Sequence, residues 1–99
     1  MVEELLNKGK ENARTTEELV HACGFSNKRD LTLQIAKERE NGAIICSSTV
    51  GRGGYYLPDN PEELRTFINS MDNRAINIFK AVKSARKMLK ELESENNGK

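Results

Sequence analysis

Between Asn41 and Leu57 the chain runs Asn-Gly-Ala-Ile-Ile-Cys-Ser-Ser-Thr-Val-Gly-Arg-Gly-Gly-Tyr-Tyr-Leu. Two β-prone runs, one around Ile44 and Ile45 and one over Tyr55, Tyr56 and Leu57, enclose a glycine-rich connection. Gly51, Gly53 and Gly54 permit the positive φ angles that a tight or bulged turn needs. The segment predicts a β-hairpin with Arg52 at its tip, and Pro58 stops the second strand. Because it follows directly on a charged helical stretch, the chain must place a hairpin at the end of a short helix.

A chain of 99 residues has room for one small domain with a modest core, plus one element that buries its apolar face against a partner. With 36% hydrophobic and 31% charged residues the composition is lean but globular, and no apolar run is long enough to cross a bilayer, so a soluble chain is expected. Glu3 and Glu4 stand where a secretory signal would carry basic residues and then an apolar stretch, which makes the cytoplasm the expected location. Cys23 and Cys46 are too few and too far apart for a metal site; set among core-type residues, they read as reduced, buried thiols. The net charge of +1 is too small to argue for nucleic acid by itself. Its distribution is more informative: Arg74, Lys80, Lys83, Arg86, Lys87 and Lys90 fall in a stretch without an acidic residue, whereas Glu3, Glu4, Glu11, Glu17 and Glu18 load the N-terminal part.

Val2, Leu5 and Leu6 form a short apolar stripe that predicts a first helix, broken near Gly9. Thr15 can cap the next helix while Glu18 reaches back as in a capping box, and Leu19, Val20 and Cys23 line its buried side. Gly24 suits the left-handed position that ends a helix, and Phe25 can fold back on the apolar face. Ser26 is the predicted cap of a third helix running to about Asn41, with Gly42 as terminator. On this helix Leu31, Ile35 and the stem of Glu38 share the face that should meet Leu19 and Cys23. At about 100° per residue the opposite face carries Arg29, Leu33, Ala36, Lys37 and Glu40, with Thr32 at its border. Asn60, Pro61 and Glu63 form a strong start signal for a further, long helix.

Along that helix Met71, Ala75, Ile78, Val82, Ala85, Leu89 and Leu92 recur in alternating steps of four and three, which is an a/d heptad seam. Leu64, Phe67 and Ile68 extend it backwards, and Phe79 and Met88 widen it. The seam exceeds what so small a domain can cover, so a homodimeric coiled coil is expected. Asn69, Ser70, Asp72 and Asn73 are weak helix formers, where a bend would fall. Lys80, Lys83, Lys87 and Lys90 form a stripe beside the seam, either a solvated flank or an auxiliary phosphate contact. The chain thus divides into a hairpin-bearing domain over 1–58, a helix over 60–93 and a tail over 94–99 with nothing to bury.

The fold class is mostly α with a small β-hairpin, and one pattern ties its parts together. Thr16-Glu17-Glu18-Leu19-Val20, then Cys23-Gly24-Phe25-Ser26, then Ile35 to Gly42 with Arg39, then Gly53-Gly54-Tyr55-Tyr56-Leu57 resemble the winged helix-turn-helix modules at the N-terminus of biotin-operon repressors and in small bacterial and phage regulators. The resemblance covers about residues 10–58, and it departs at Glu38, where the family places an apolar residue. It implies double-stranded DNA as partner, with Lys28, Arg29, Thr32, Leu33 and Lys37 of the third helix in the major groove and Thr49 and Arg52 of the wing on phosphate or minor groove. The implied role is a dimeric transcriptional regulator or the DNA-binding accessory of a mobile element.

The competing reading makes the outer face of the third helix an ordinary solvated one, since Lys37, Glu38, Arg39 and Glu40 alternate in sign. A second rival is a winged-helix docking module for another protein, using Leu33 and the last helix. Tyr55 and Tyr56 read as packing residues. Nothing in the chain predicts an enzyme or a small-molecule substrate. His21 is the one histidine and has no nucleophile or acid at a catalytic spacing, and Gly51-Arg52-Gly53-Gly54 lacks the lysine and following helix of a phosphate-cradling loop. No cofactor or metal is expected.

Overall fold

A computed structural model of the chain describes residues 1–51 and 53–97. Two 3-10 turns, Glu3–Leu5 and Lys10–Asn12, lead into helix α1 (Thr16–Cys23), helix α2 (Lys28–Glu40), strands β1 (Cys46–Ser48) and β2 (Gly54–Tyr56), and helix α3 (Pro61–Asn97). The strands form an antiparallel hairpin with Cys46 opposite Tyr56, Ser47 opposite Tyr55 and Ser48 opposite Gly54. The chain divides into two compact units, Met1–Phe67 and Ile68–Lys99.

Local signals set the ends of α1 and α2. The Thr15 Oγ1 accepts the Glu18 N–H at 3.1 Å, satisfying one of the donors that the first turn leaves unpaired. At the other end Gly24 adopts φ 71°, and the Phe25 and Gly24 N–H groups donate to the carbonyls of Val20 (3.0 Å) and His21 (3.2 Å). That pair of bonds is a Schellman closure, and it turns Phe25 back toward the core. The α2 cap is Asn27 rather than Ser26, its Oδ1 accepting the Asp30 N–H at 2.9 Å. Serine and asparagine cap equally well, so the local sequence does not rank them; the turn that seats Phe25 decides. Gly42 ends α2 as expected, with the Ala43 N–H on the Glu38 carbonyl at 2.9 Å.

Leu19, Leu31 and Ile35 meet as predicted and are fully buried together with Val2 and Ile45; Leu6 completes the cluster, and Cys23, Phe25, Tyr55 and Leu57 pack against it. The first helix expected from Val2, Leu5 and Leu6 is reduced to the turn Glu3–Leu5, beyond which Leu6 is extended. So short a stretch cannot offset the cost of nucleating a helix. Its backbone is used by other partners. The Val2 and Glu3 N–H groups go to Glu38, the Asn7 carbonyl accepts the Leu57 N–H, and the Gly9 N–H donates to the Leu57 carbonyl, the last two at 2.9 Å. Arg14 pairs with Tyr55 through two backbone bonds of 2.9 Å. The outer edge of β2 is therefore covered by the N-terminal segment, which removes an open strand edge.

Strand β1 starts at Cys46, later than the run from Ile44 suggested. Arg39 explains the delay: its Nε (2.9 Å) and Nη2 (2.5 Å) both donate to the Ile45 carbonyl, which is thereby lost to the hairpin. Ile45 turns into the core while Ile44 stays 39% exposed. The start of α3 follows its signal, the Asn60 Oδ1 accepting the Glu63 N–H at 2.9 Å. The Glu63 carboxylate accepts in turn from the N–H groups of Asp59 (2.9 Å) and Lys10 (3.1 Å), and the Arg39 guanidinium lies 5.7 Å from the Phe67 ring centre. These contacts carry the first unit past Pro58 to Phe67. Helix α3 is unbroken across Asn69–Asn73 and extends through residues 94–97, so neither a break near Ser70 nor an early end is observed. Weak formers cost only a few tenths of a kcal/mol each, roughly, which an established helix absorbs.

Candidate nucleic-acid interface

The outer side of α2 gathers the residues that the sequence assigned to the third helix. Lys28, Arg29, Thr32, Leu33 and Lys37 are all exposed, and Leu31 and Ile35 anchor the opposite side of the same helix. A helix held by a cap at each end and two buried side chains presents its outer face rigidly, as readout of a duplex requires. Leu33, 58% exposed, lies between Arg29 and Lys37 on that face. The Thr32 hydroxyl donates to the Lys28 carbonyl at 3.1 Å, so toward an outside partner it offers an acceptor and a methyl group.

The alternation of sign over residues 37–40 resolves into two functions. Lys37 and Glu40 point outward, whereas Glu38 and Arg39 are turned to backbone groups. The Glu38 carboxylate accepts the N–H of Val2 (2.8 Å) and of Glu3 (2.9 Å) and the Gln34 side-chain amide (2.8 Å), with the Met1 amino nitrogen at 3.4 Å. Burial alone would raise its pKa; the Glu3 and Val2 N–H groups, Gln34 and the terminal ammonium outweigh burial and hold it at about 2. The carboxylate ties the N-terminus to α2. Sequence patterning missed this role because the partners are backbone groups, which carry no side-chain signal.

The hairpin loop adds Thr49, which is exposed, and Val50, which is 69% exposed and was not singled out by sequence. An apolar side chain beside glycine in a connection is the signal that would have found it. Arg52 lies outside the described residues. Gly53 closes a turn through its N–H on the Val50 carbonyl at 3.0 Å.

The residues of the heptad seam fall in the second unit: Met71 is half-buried, and Ala75, Ile78, Val82, Ala85, Leu89 and Leu92 are exposed. Cys46 is buried, and burial, with the nearby Glu63 charge, pushes its thiol above the ordinary range despite Arg39, so it stays protonated. His21 is exposed on an open groove with Thr16, Val20, Phe25 and Lys28. Among the described residues no cluster of His, Cys, Asp and Glu converges as a metal site requires, and no helix is long and apolar enough to cross a membrane. Compared with known proteins, the chain matches no family model, no curated protein and no solved structure.

Proposed function

We propose that this chain is a winged-helix protein that binds double-stranded DNA through α2 and the hairpin loop and pairs with a second copy through the α3 seam. The observation that carries the reading is the α2 face: cationic, polar and apolar side chains of Arg29, Thr32, Leu33 and Lys37 project from a rigid helix that the hairpin follows directly. Arginine and lysine suit guanine edges and phosphates, and Leu33 suits a thymine methyl. Support also comes from the chain order. The Arg14 segment pairs with β2 on the side away from β1, a third extended segment beside the hairpin of the kind the winged-helix reading calls for. A transcriptional regulator and the DNA-binding accessory of a mobile element both fit this layout.

Fluorescence anisotropy with a random-sequence duplex, titrated over salt, tests the reading. Affinity should fall steeply as salt rises, and Arg29→Ala should weaken binding by about 1–2 kcal/mol, roughly 5–30-fold, with the fold intact. A wild-type protein that fails to bind at low salt would sink it. The exposure of Leu33 favours a protein-docking module as the second reading, and under that reading Arg29→Ala leaves duplex binding at background.

Pairing through α3 is tested by sedimentation. A dimer at tens of micromolar is expected, and Ile78→Asp with Leu89→Asp should return it to monomer, because each charge would be buried unpaired in the seam. A wild-type monomer at that concentration would rule the pairing out.

A further inference from the structure

Lys80, Lys83, Lys87 and Lys90 form a stripe on α3 that pairing leaves unused. With Met71, Ile78, Ala85 and Leu92 at d and Ala75, Val82 and Leu89 at a, Lys80 and Lys87 fall at f and Lys83 and Lys90 at b. These positions face away from the seam, so a partner that covers the seam leaves the lysines in water. All four are exposed, as is Arg86 beside them.

The stripe works against the helix that carries it. Lys80 and Lys83, Lys83 and Arg86, Lys83 and Lys87, Arg86 and Lys90, and Lys87 and Lys90 are neighbours three or four positions apart, and like charges at those spacings destabilise a helix. No acidic residue occurs between Arg74 and Lys90, and of those beyond, Glu91 and Glu93 stand three or four positions only from Lys87 and Lys90, leaving Lys80, Lys83 and Arg86 without an offsetting neighbour. Among the described residues none of these cations makes an ion pair. Compensation of the helix dipole does not account for them either, because Glu91, Glu93 and Glu95 follow them toward the C-terminal end. A polyanion lying along the stripe would attract each of these cations and relieve their mutual repulsion.

We infer that this stripe is a second nucleic-acid contact, one that binds the phosphate backbone of a duplex without reading sequence. From Lys80 to Lys90 the stripe runs about 15 Å along the helix axis, long enough to meet more than one phosphate of a duplex that carries a charge on each strand for about every 3.4 Å of its axis. Lysine serves such contacts as a point charge on a flexible stem and carries no base information. Duplex DNA is favoured over an anionic membrane because pairing through the seam leaves α3 without its a/d face to bury in a bilayer. The inference rests on the DNA reading above and adds a surface that reading does not use.

The test compares the full chain with the quadruple variant K80Q/K83Q/K87Q/K90Q. Far-ultraviolet circular dichroism should show unchanged or higher helicity, since the repulsion is gone. In anisotropy titrations against a random-sequence duplex, the slope of log affinity against log salt should shrink by about 2–4, with affinity at low salt down about 10-fold or more. Equal slopes and affinities for the two proteins would overturn the stripe while leaving the DNA reading standing. No binding by the wild type would overturn both. Loss of binding to phosphatidylserine vesicles, with duplex binding unchanged, would replace the nucleic acid by a lipid surface.

Discussion

Gly54→Ala should cost about 3 kcal/mol or more and lower the melting temperature by roughly 15 °C, the largest effect expected of a methyl group added at any of the described glycines. A Cβ at Gly54 would stand 2.2 Å from the Arg14 carbonyl oxygen and 3.1 Å from the Thr15 Cα, at a φ of 117° that L side chains rarely adopt. The obstacle is backbone, and it cannot withdraw cheaply, since Arg14 and Tyr55 hold each other through two bonds of 2.9 Å. Relief would require parting the N-terminal segment from β2, exposing both edges. Gly51→Ala is the control. Its φ of 63° is also positive, but nothing lies within 4 Å of the added Cβ, so only the local conformational cost of about 1 kcal/mol remains. Thermal melts at one fixed protein concentration check both, because pairing makes the midpoint depend on concentration. A Gly54→Ala protein melting within a few degrees of wild type would mean that the Arg14 segment does not cover β2.

This contrast also marks what the sequence could reveal. Features closed within a few residues were legible. Thr15 with Glu18, Gly24 with Phe25, Gly42, and Asn60 with Glu63 each satisfy unpaired helix ends through neighbours three to five positions away, so the residue types announce them. The buried faces of α1 and α2 were legible as well, because Leu19, Leu31 and Ile35 follow helical spacing, and so was the outward direction of Arg29, Leu33 and Lys37.

Contacts made by backbone groups across long stretches of sequence were not legible. The pairing of Arg14 with Tyr55 uses only main-chain atoms, and the reach of Glu63 to the Lys10 N–H could not be separated from its role at the helix start. Arg39 looked like one member of an alternating surface row, yet it takes the Ile45 carbonyl and shortens β1. The glycines show the same division. Gly51, Gly53 and Gly54 were equally credible turn formers by composition, but a Cβ at Gly53 meets the Ser48 carbonyl oxygen of its own hairpin at 2.9 Å, whereas one at Gly54 meets the carbonyl oxygen of Arg14, far off in sequence, at 2.2 Å.

The second large effect concerns Glu38, where the same blindness to backbone partners applies. Its carboxylate pKa of about 2 lies below the ordinary 4.5, because the charged form accepts two backbone N–H bonds and a Gln34 amide N–H. A depressed folded-state pKa means that the unfolded chain binds the proton first. The stabilisation is therefore complete above pH 4.5 and is lost as pH falls from there toward 2. Its size is bounded at about 3 kcal/mol, less whatever solvent reaching the Met1 side of the site screens away. Glu38→Gln keeps the shape but replaces one of the two accepting oxygens by an amide donor, which then faces either the donors of Val2 and Gln34 or those of Glu3 and Met1. The variant should be less stable than wild type by about 2 kcal/mol at pH 7, and the gap should close on acidification. Glu63 also has a lowered pKa, through the N–H groups of Asp59 and Lys10, so the wild type loses stability in acid from two sites. For that reason the decisive quantity is the difference between wild type and variant in urea melts across pH. Since Glu63 is common to both proteins, its contribution cancels and only the Glu38 linkage remains. A gap that stays constant from pH 7 to about pH 3 would show that the carboxylate is not held charged by these donors, and the tie between α2 and the N-terminal turn would then have to rest on Val2 and Leu6 packing alone.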